Sequence, residues 1–282
     1  AVLTTALEHS SMVRPLTHLA QRRGLELTVL DPDPSGRIDA ARAAEALARG
    51  GFRLFAFTHA SNVTGAVLDA AGLCAVARAA GVATLLDASQ TAGLLSIDVG
   101  ATALAASAHK GLLGPPGLGV LAVAPELDLP PVRFGGTGSA AALDRQPDEW
   151  PGAMEPGTPN TPAILGLGAA LEWLDAQNPG ALDRGLELID LLRAELAPEA
   201  ECFGPHDGAR IPVCSFRWPG LDPAECGLLL DAAGIHVRTG MHCAPWLHRH
   251  LGTEAGGTVR VSVGPFSRAD DVREVPRALR GG

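Results

Sequence analysis

Two short apolar segments of the sequence end next to residues that could do chemistry together. Residues 82–86 lead directly into Asp87, and residues 103–106 end shortly before Lys110. Short apolar runs between glycines and polar residues are typical of buried strands in a parallel sheet. Ligand crevices in α/β sheets lie beyond the carboxyl ends of the strands. We therefore expect Asp87 and Lys110 to face one crevice.

An amine and a carboxylate at one crevice have a specific use. A lysine in an apolar, partly desolvated site can form a Schiff base with an aldehyde. Pyridoxal phosphate requires that lysine, together with an acid that keeps its pyridine nitrogen protonated. Gln90 could then donate to the phenolate oxygen of the ring, while Ser107 and His109 could bind the phosphate. A buried Asp–Lys ion pair that only joins two strand ends is the open alternative.

The segments around these residues resemble a known family. D-A-S-Q-T-A-G at 87–93 and S-A-H-K-G-L-L-G-P-P-G-L-G at 107–119 are similar to motifs of the class V aminotransferases, which are pyridoxal-phosphate enzymes. The resemblance is to the branch of cysteine desulfurases and selenocysteine lyases, and it extends from about Thr4 to about Val272. It implies the α/β fold of type I pyridoxal-phosphate-dependent transferases, in which helices sandwich a mostly parallel central sheet. A small C-terminal α+β domain is expected to follow.

The hydrophobic pattern predicts elements that fit this architecture. Strands are expected at the start of the chain and at 25–30, 52–58, 82–86, 103–106, 211–218, 235–237 and 258–263. Helices are expected at 15–23, 39–49, 69–80, 163–174, 182–196, 226–233 and 269–280. The alternation of strands and helices in the first half favours parallel crossovers. We place the domain boundary near residues 178–180, which gives a large domain at 1–178 and a small domain at 179–282.

The resemblance implies further cofactor ligands in the large domain. His9 matches the histidine that stacks on the cofactor ring and takes part in proton transfer. Asn62, in the run S-N-V-T-G, matches an asparagine beside the cofactor and the substrate carboxylate. From the residues alone, a helix-capping or surface histidine and an ordinary turn asparagine are the alternatives.

Two loops rich in glycine, proline and threonine, at 134–139 and 155–162, are implied to cross a dimer interface. In the family such loops donate hydrogen bonds to the phosphate in the neighbouring subunit. Gly136, Thr137 and Thr158 are therefore candidate cofactor ligands, and a homodimer is expected. The family also has an upstream Gly-Thr phosphate loop that has no counterpart in this sequence. We therefore expect a truncated member that holds the cofactor more weakly.

The segment V-R-T-G-M-H-C-A-P-W at 237–246 carries the second motif. It resembles the R-x-G-x-H-C-A segment of desulfurases that pass sulfur to a separate acceptor protein. The match implies that Cys243 carries the persulfide and that His242 contacts the substrate, although Met241 stands where the family often has another histidine. A small buried cysteine is one alternative. A zinc site of His242, Cys243, His248 and His250 is another, but it lacks the paired-cysteine spacing of structural zinc sites, so no metal is expected.

Residues 258–263 alternate valines with polar residues, as a half-buried strand does. Arg260 lies on the polar face, and its guanidinium offers a fork that binds a carboxylate at two points. The family uses the matching arginine to bind the carboxylate of the substrate. A solvated strand arginine is the alternative.

Composition excludes some classes of partner and favours one cellular location. The net charge of −9 argues against nucleic acid or an anionic membrane as a partner, and no apolar run is long enough to cross a bilayer. The five cysteines are scattered without a C-x-x-C pair, which favours reduced thiols and a cytoplasmic location.

The resemblance implies a cysteine desulfurase that converts L-cysteine to L-alanine and passes sulfur from Cys243 to an acceptor protein. Three alternatives stay open: a selenocysteine lyase acting on selenocysteine, another class V aminotransferase or carbon–sulfur lyase, and a non-catalytic fragment that acts only as a dimerising module.

Overall fold

The computed structural model describes residues 1–138, 143–177 and 180–281. Its first sheet contains the strands β1 (Val2–Thr5), β2 (Leu27–Leu30), β3 (Leu54–Thr58), β4 (Ala83–Asp87), β5 (Ala103–Ser107) and β6 (Gly119–Val123). Their order across the sheet is β2-β1-β3-β4-β5-β6. Neighbouring strands are parallel except for β6, which runs antiparallel to β5. The carboxyl ends of β1, β3, β4 and β5 therefore meet at one edge of the sheet.

Helices α1 (Ser10–Arg23), α2 (Ala40–Ala48), α3 (Ala70–Ala79) and α4 (Thr161–Gln177) accompany this sheet. Polar side chains cap the first three helices: His9, Asp39 and Asp69 each accept a hydrogen bond from a backbone N–H of the first turn. Such a cap stabilises a helix by about 1 kcal/mol. The main core joins apolar side chains of the strands to those of α2 and α3, and its fully buried members include Leu3, Phe55, Phe57, Leu73 and Leu86.

The second sheet is antiparallel and has the order β7-β8-β10-β9. Its strands are β7 (Glu201–Phe203), β8 (Val213–Arg217), β9 (Arg238–Gly240) and β10 (Thr258–Ser262). It is accompanied by α5 (Ala181–Leu196), α6 (Pro223–Ala232) and α8 (Ala269–Arg280), whereas α7 (Pro245–His250) buries Leu247 in the main core. A separate apolar cluster fills this part, with Ile189, Phe216 and Val259 among its buried members.

The predicted fold class is confirmed, since a mostly parallel sheet with helices is followed by a smaller α+β sheet. Residues 178 and 179 lie outside the described residues, so the division into two domains stays a prediction. No helix in the described ranges has the length and apolar character needed to cross a bilayer.

Several elements differ from the expectation. The strand predicted at 235–237 was wrong, because the ladder to β10 begins at Arg238 and the preceding Ile235 and Val237 pack on the core instead. Helix α1 begins at Ser10, five residues before Pro15, because His9 provides the cap. Strands β6 and β7 and helix α7 were not predicted.

Candidate active site

The carboxyl ends of neighbouring strands bring the predicted acid and amine to one place. Asp87 is the last residue of β4 and lies opposite Thr58 on β3 and Ala105 on β5. It is 9% exposed, and its Oδ1 accepts a hydrogen bond of 2.9 Å from the backbone N–H of Ser89. Lys110, just beyond β5, lies close enough for the charge of Asp87 to influence its pKa. Asp87 and Lys110 are therefore neighbours at this edge of the sheet, and the cofactor roles expected of them stay predictions.

Burial lowers the pKa of Lys110, and the positive charges of Arg260 and Arg238 act in the same direction. Asp87 opposes this effect from a distance, because none of the ion pairs in the described part of the chain joins Asp87 to Lys110. The alternative of a strand-joining ion pair therefore lacks its contact. A partly buried amine with a lowered pKa is suited to bond covalently with a carbonyl group.

A cavity of about 360 Å³ opens beside Lys110. Polar side chains of Gln90, Lys110 and Arg260 line it together with apolar ones such as Ile211 and Val213. Small-molecule sites in proteins have volumes of roughly 300–1,000 Å³ and this mixture of apolar walls and a few polar groups. The cavity therefore has the size and lining of a site for a small polar ligand.

His9 lies at the junction of β1 and α1. Its Nδ1 accepts a hydrogen bond of 3.1 Å from the backbone N–H of Ser11, which caps α1 and leaves Nε2 to the site. Burial lowers the pKa of His9, and the nearby charge of Lys110 lowers it further. The helix-capping alternative is therefore met by Nδ1, and the role of His9 in the site stays a prediction.

Cys243 lies on a tight loop that is tied to the first sheet. His242 and Cys243 have backbone φ angles of 48° and 58°, in the left-handed region that costs a non-glycine residue about 1 kcal/mol or more. Asn62 Nδ2 donates to the carbonyl oxygen of His242 at 2.7 Å, and the backbone N–H of Ser10 donates to that of Cys243 at 2.6 Å. Arg238 Nη2 donates to Cys243 Sγ at 3.1 Å. These contacts hold the sulfur near His9 and Lys110.

Arg260 joins the two parts of the site. Its strand buries Val259 and Val261 on one face, and the half-buried guanidinium on the other face lines the cavity. Its Nη1 donates to the backbone oxygen of Asn62 at 3.0 Å. The alternative of a solvated strand arginine is therefore wrong.

His242 takes a different position from the one expected. It is 2% exposed, its Nε2 lies 2.9 Å from Thr258 Oγ1, and it is not among the described residues that line the cavity. Burial and the nearby charge of Arg260 lower its pKa to about 3, so the ring is neutral. Within the ranges described, no three His, Cys, Asp or Glu side chains are grouped to hold a metal ion, so the zinc alternative has no ligand set there.

The candidate phosphate ligands are spread out. Ser107 is half-buried, with its hydroxyl 3.4 Å from that of Ser89, whereas His109 is exposed. Gly136 and Thr158 are exposed and Thr137 is half-buried, and none of the three is among the cavity-lining residues described. Their two loops touch where the N–H of Gly157 donates to the oxygen of Gly136. Ser139 of the first loop lies outside the described residues, and the role of both loops stays a prediction.

Two residues of the site were not identified from the sequence. Arg238 contacts the sulfur of Cys243 and was present in the quoted R-x-G-x-H-C segment, which was the available signal. Glu8 is fully buried and directly precedes His9. The only signal for Glu8 in the sequence was that an acidic residue lies shortly after a buried strand.

The chain matches the family model described as aminotransferase class-V over residues 1–275. The chain belongs to the class-V aminotransferase family. Among class-V relatives, a cysteine desulfurase of Cronobacter sakazakii is 33% identical over 289 residues, which cover 99% of this chain and 70% of the relative. The solved structure of an apo cysteine desulfurase from Thermococcus onnurineus NA1 has a TM-score of 0.91 at 32% identity and covers 99% and 72% of the two chains. The resemblance stated from the motifs is confirmed.

Another solved structure supports the same class-V fold. It is a cysteine desulfurase from Escherichia coli in an S-sulfonic acid form, with a TM-score of 0.90 and 29% identity. It covers 99% of this chain and 71% of its own.

Proposed function

We propose that this chain is a pyridoxal-phosphate-dependent cysteine desulfurase that converts L-cysteine to L-alanine and takes the sulfur onto Cys243. The observation that carries the proposal is the joint placement of Lys110 and Cys243. The loop of Cys243 is tied to Ser10 of α1 and to Asn62 in the turn after β3, and its sulfur influences the pKa of Lys110. The named relatives, which are cysteine desulfurases, support the same assignment.

The residues present fit pyridoxal phosphate. Lys110 is the only lysine of the sequence, and it is partly buried beside the carboxylate of Asp87 and a cavity of suitable size. Lys110 would hold the aldehyde, Asp87 the ring nitrogen and Gln90 the phenolate oxygen. When bound, the cofactor supplies an electrophilic carbonyl and a ring that withdraws electrons from the substrate.

Arg260 is suited to bind the substrate carboxylate, because its guanidinium lines the cavity and is held in place by the backbone of Asn62. The amine of Lys110, when it is free of the cofactor, would be the group that moves protons at the substrate. His9 Nε2 is the other proton carrier, and its low pKa keeps it able to accept.

Cys243 performs the sulfur step as a thiolate. Its sulfur attacks the sulfur of the substrate, so that an S–S bond forms and the C–S bond breaks. The electron pair of the broken bond stays with the former β-carbon of cysteine, which takes a proton and leaves as the methyl group of alanine. Arg238, 3.1 Å from this sulfur, favours the negatively charged thiolate by its positive charge.

We further propose a homodimer in the cytoplasm that passes its sulfur to an acceptor protein. The loops at 134–138 and 155–160 support the dimer, because they carry exposed polar donors and a side chain, Phe134, that is 74% exposed. Contiguous exposed apolar side chains mark protein interfaces, and Val132, two residues before Phe134, is 80% exposed. Sedimentation analysis at micromolar concentration tests this proposal, and a fully active monomer would contradict it.

The decisive experiment compares Cys243→Ser with Cys202→Ser. Both substitutions remove one thiol, but Cys202 is half-buried in β7, far from the loop of Cys243 in the sequence. After incubation with pyridoxal phosphate and L-cysteine, alanine release and persulfide sulfur are measured. We expect Cys202→Ser to match the wild type and Cys243→Ser to release no alanine.

Cysteine desulfuration at the wild-type rate by Cys243→Ser would contradict the proposal. Activity of that variant on selenocysteine alone would favour the lyase alternative, because selenium leaves with less help from a thiolate.

A further inference from the structure

Glu8 is a fully buried acid that the proposed chemistry does not use. It lies three residues after the end of β1, and none of its side chain is exposed. Its Oε1 accepts two hydrogen bonds, from Thr5 Oγ1 at 2.6 Å and from the backbone N–H of Thr58 at 3.0 Å. Its Oε2 is also buried and has no hydrogen-bond partner among the described residues.

This arrangement suits a neutral carboxylic acid. An ionised carboxylate needs donors for both oxygens, and burying one that is only half satisfied is very costly. Burial, together with a smaller effect of the negative charge of Asp87, raises the pKa of Glu8 to about 8. Because Oε1 already accepts two hydrogen bonds, the proton belongs on Oε2.

The hydrogen bonds of Glu8 reach the strand end that carries the acid of the site. Thr58 is the last residue of β3 and is paired with Asp87 on β4. The next N–H, that of His59, donates to the backbone oxygen of Asp87 at 2.9 Å. Glu8 thus links the end of β1 to the end of β3, which in turn holds Asp87.

We propose that Glu8 is a positioning residue that acts as a neutral acid: it fixes the strand ends that carry His9 and Asp87. Because Glu8 is uncharged, Asp87 is the only negatively charged group among the described residues that act on Glu8. The titratable neighbours of Asp87 are His9 and Lys110. The effect of Glu8 on cofactor binding through Asp87 rests on the proposed function. The neutral state of Glu8 and its link between the ends of β1 and β3 do not.

The test uses Glu8→Gln, Glu8→Ala and the control Glu26→Gln, whose side chain is exposed. Glutamine keeps the acceptor for Thr58 and places an NH₂ where the neutral acid has its O–H. The melting temperature is measured without cofactor from pH 5 to 9. We expect the wild type and Glu26→Gln to lose stability by several degrees relative to Glu8→Gln as the pH rises, because only they must keep Glu8 protonated.

Hydrogen exchange and cofactor binding test the positioning role. We expect the N–H of Thr58 to exchange at least tenfold faster in Glu8→Ala than in the wild type, and to stay protected in Glu8→Gln. With pyridoxal phosphate, Glu8→Gln should keep the visible absorbance maximum of the wild type and Glu8→Ala should shift it. The visible spectrum reports the protonation of the cofactor, which a substitution that only lowers stability would not change.

Parallel stability profiles of the wild type and Glu8→Gln would overturn the neutral acid. Loss of Thr58 protection in Glu8→Gln would overturn the positioning role. If the wild type binds no cofactor, the proposed function fails, while the stability and exchange measurements still decide the inference on Glu8.

Discussion

Replacing Asn62 by alanine tests how the loop of Cys243 is held. The side chain of Asn62 is 5% exposed, and its Nδ2 donates to the backbone oxygen of His242 at 2.7 Å. Alanine removes this donor and leaves the carbonyl of a buried residue without it. The backbone oxygen of Asn62, which binds Arg260, is unaffected by the change.

An unsatisfied buried polar group costs about 1–3 kcal/mol. In a chain of this size each kcal/mol lowers the melting temperature by roughly 2–4 °C, so a decrease of at least about 2 °C is expected. The loss of order should be confined to this loop, because the segment that Asn62 releases contains the two left-handed residues His242 and Cys243. A displacement of about 1 Å at a reacting group can reduce a rate about a hundredfold, so desulfuration should fall by more than stability does.

The assay combines the melting temperature, hydrogen exchange at residues 242–244 and the rate of alanine release. Asn160→Ala is the matched control, because Asn160 Oδ1 only accepts from the N–H of Ala163 at the start of α4. We expect both variants to be less stable, but only Asn62→Ala to exchange faster at 242–244. Unchanged exchange and unchanged alanine release in Asn62→Ala would refute the assigned role of this hydrogen bond.

Two further outcomes are expected. Arg260→Lys keeps the charge but loses the fork, so the KM for L-cysteine should rise about tenfold or more with a smaller change in kcat, and a wild-type KM would contradict the carboxylate assignment. The folded-state pKa of Glu8, about 8, lies above its ordinary value of 4.5, so the folded chain binds more protons between these values. In unfolding by urea, stability should therefore fall by about 5 kcal/mol as the pH rises through this window and stay level above it, and a flat profile would contradict the assignment.

The sheet edge of the site could be predicted because it depends on local patterns. Asp87 and Lys110 each follow an apolar run, and parallel strands bring such ends together. The motif around Cys243 identified the loop in the same way. These features need only a strand pattern and its direction.

The remaining contacts depend on pairing between distant segments, which a local pattern does not contain. The hydrogen bond from Arg238 to Cys243 follows from the register of β9 on β10. The same register is the reason why the observed strand begins at Arg238 and not at Ile235. The burial of His242 against Thr258 has the same origin. Helix α1 was predicted too short because Pro15 was taken for its first residue.

The central claim is that Lys110 holds pyridoxal phosphate, and one measurement tests it most directly. The chain is incubated with the cofactor, reduced with borohydride, digested and analysed by mass spectrometry, with Lys110→Ala as the control. Since Lys110 is the only lysine of the sequence, the account predicts one reduced cofactor on the peptide that contains it and none in the control. A wild-type chain without any attached cofactor, or a visible band that borohydride removes in Lys110→Ala, would contradict it.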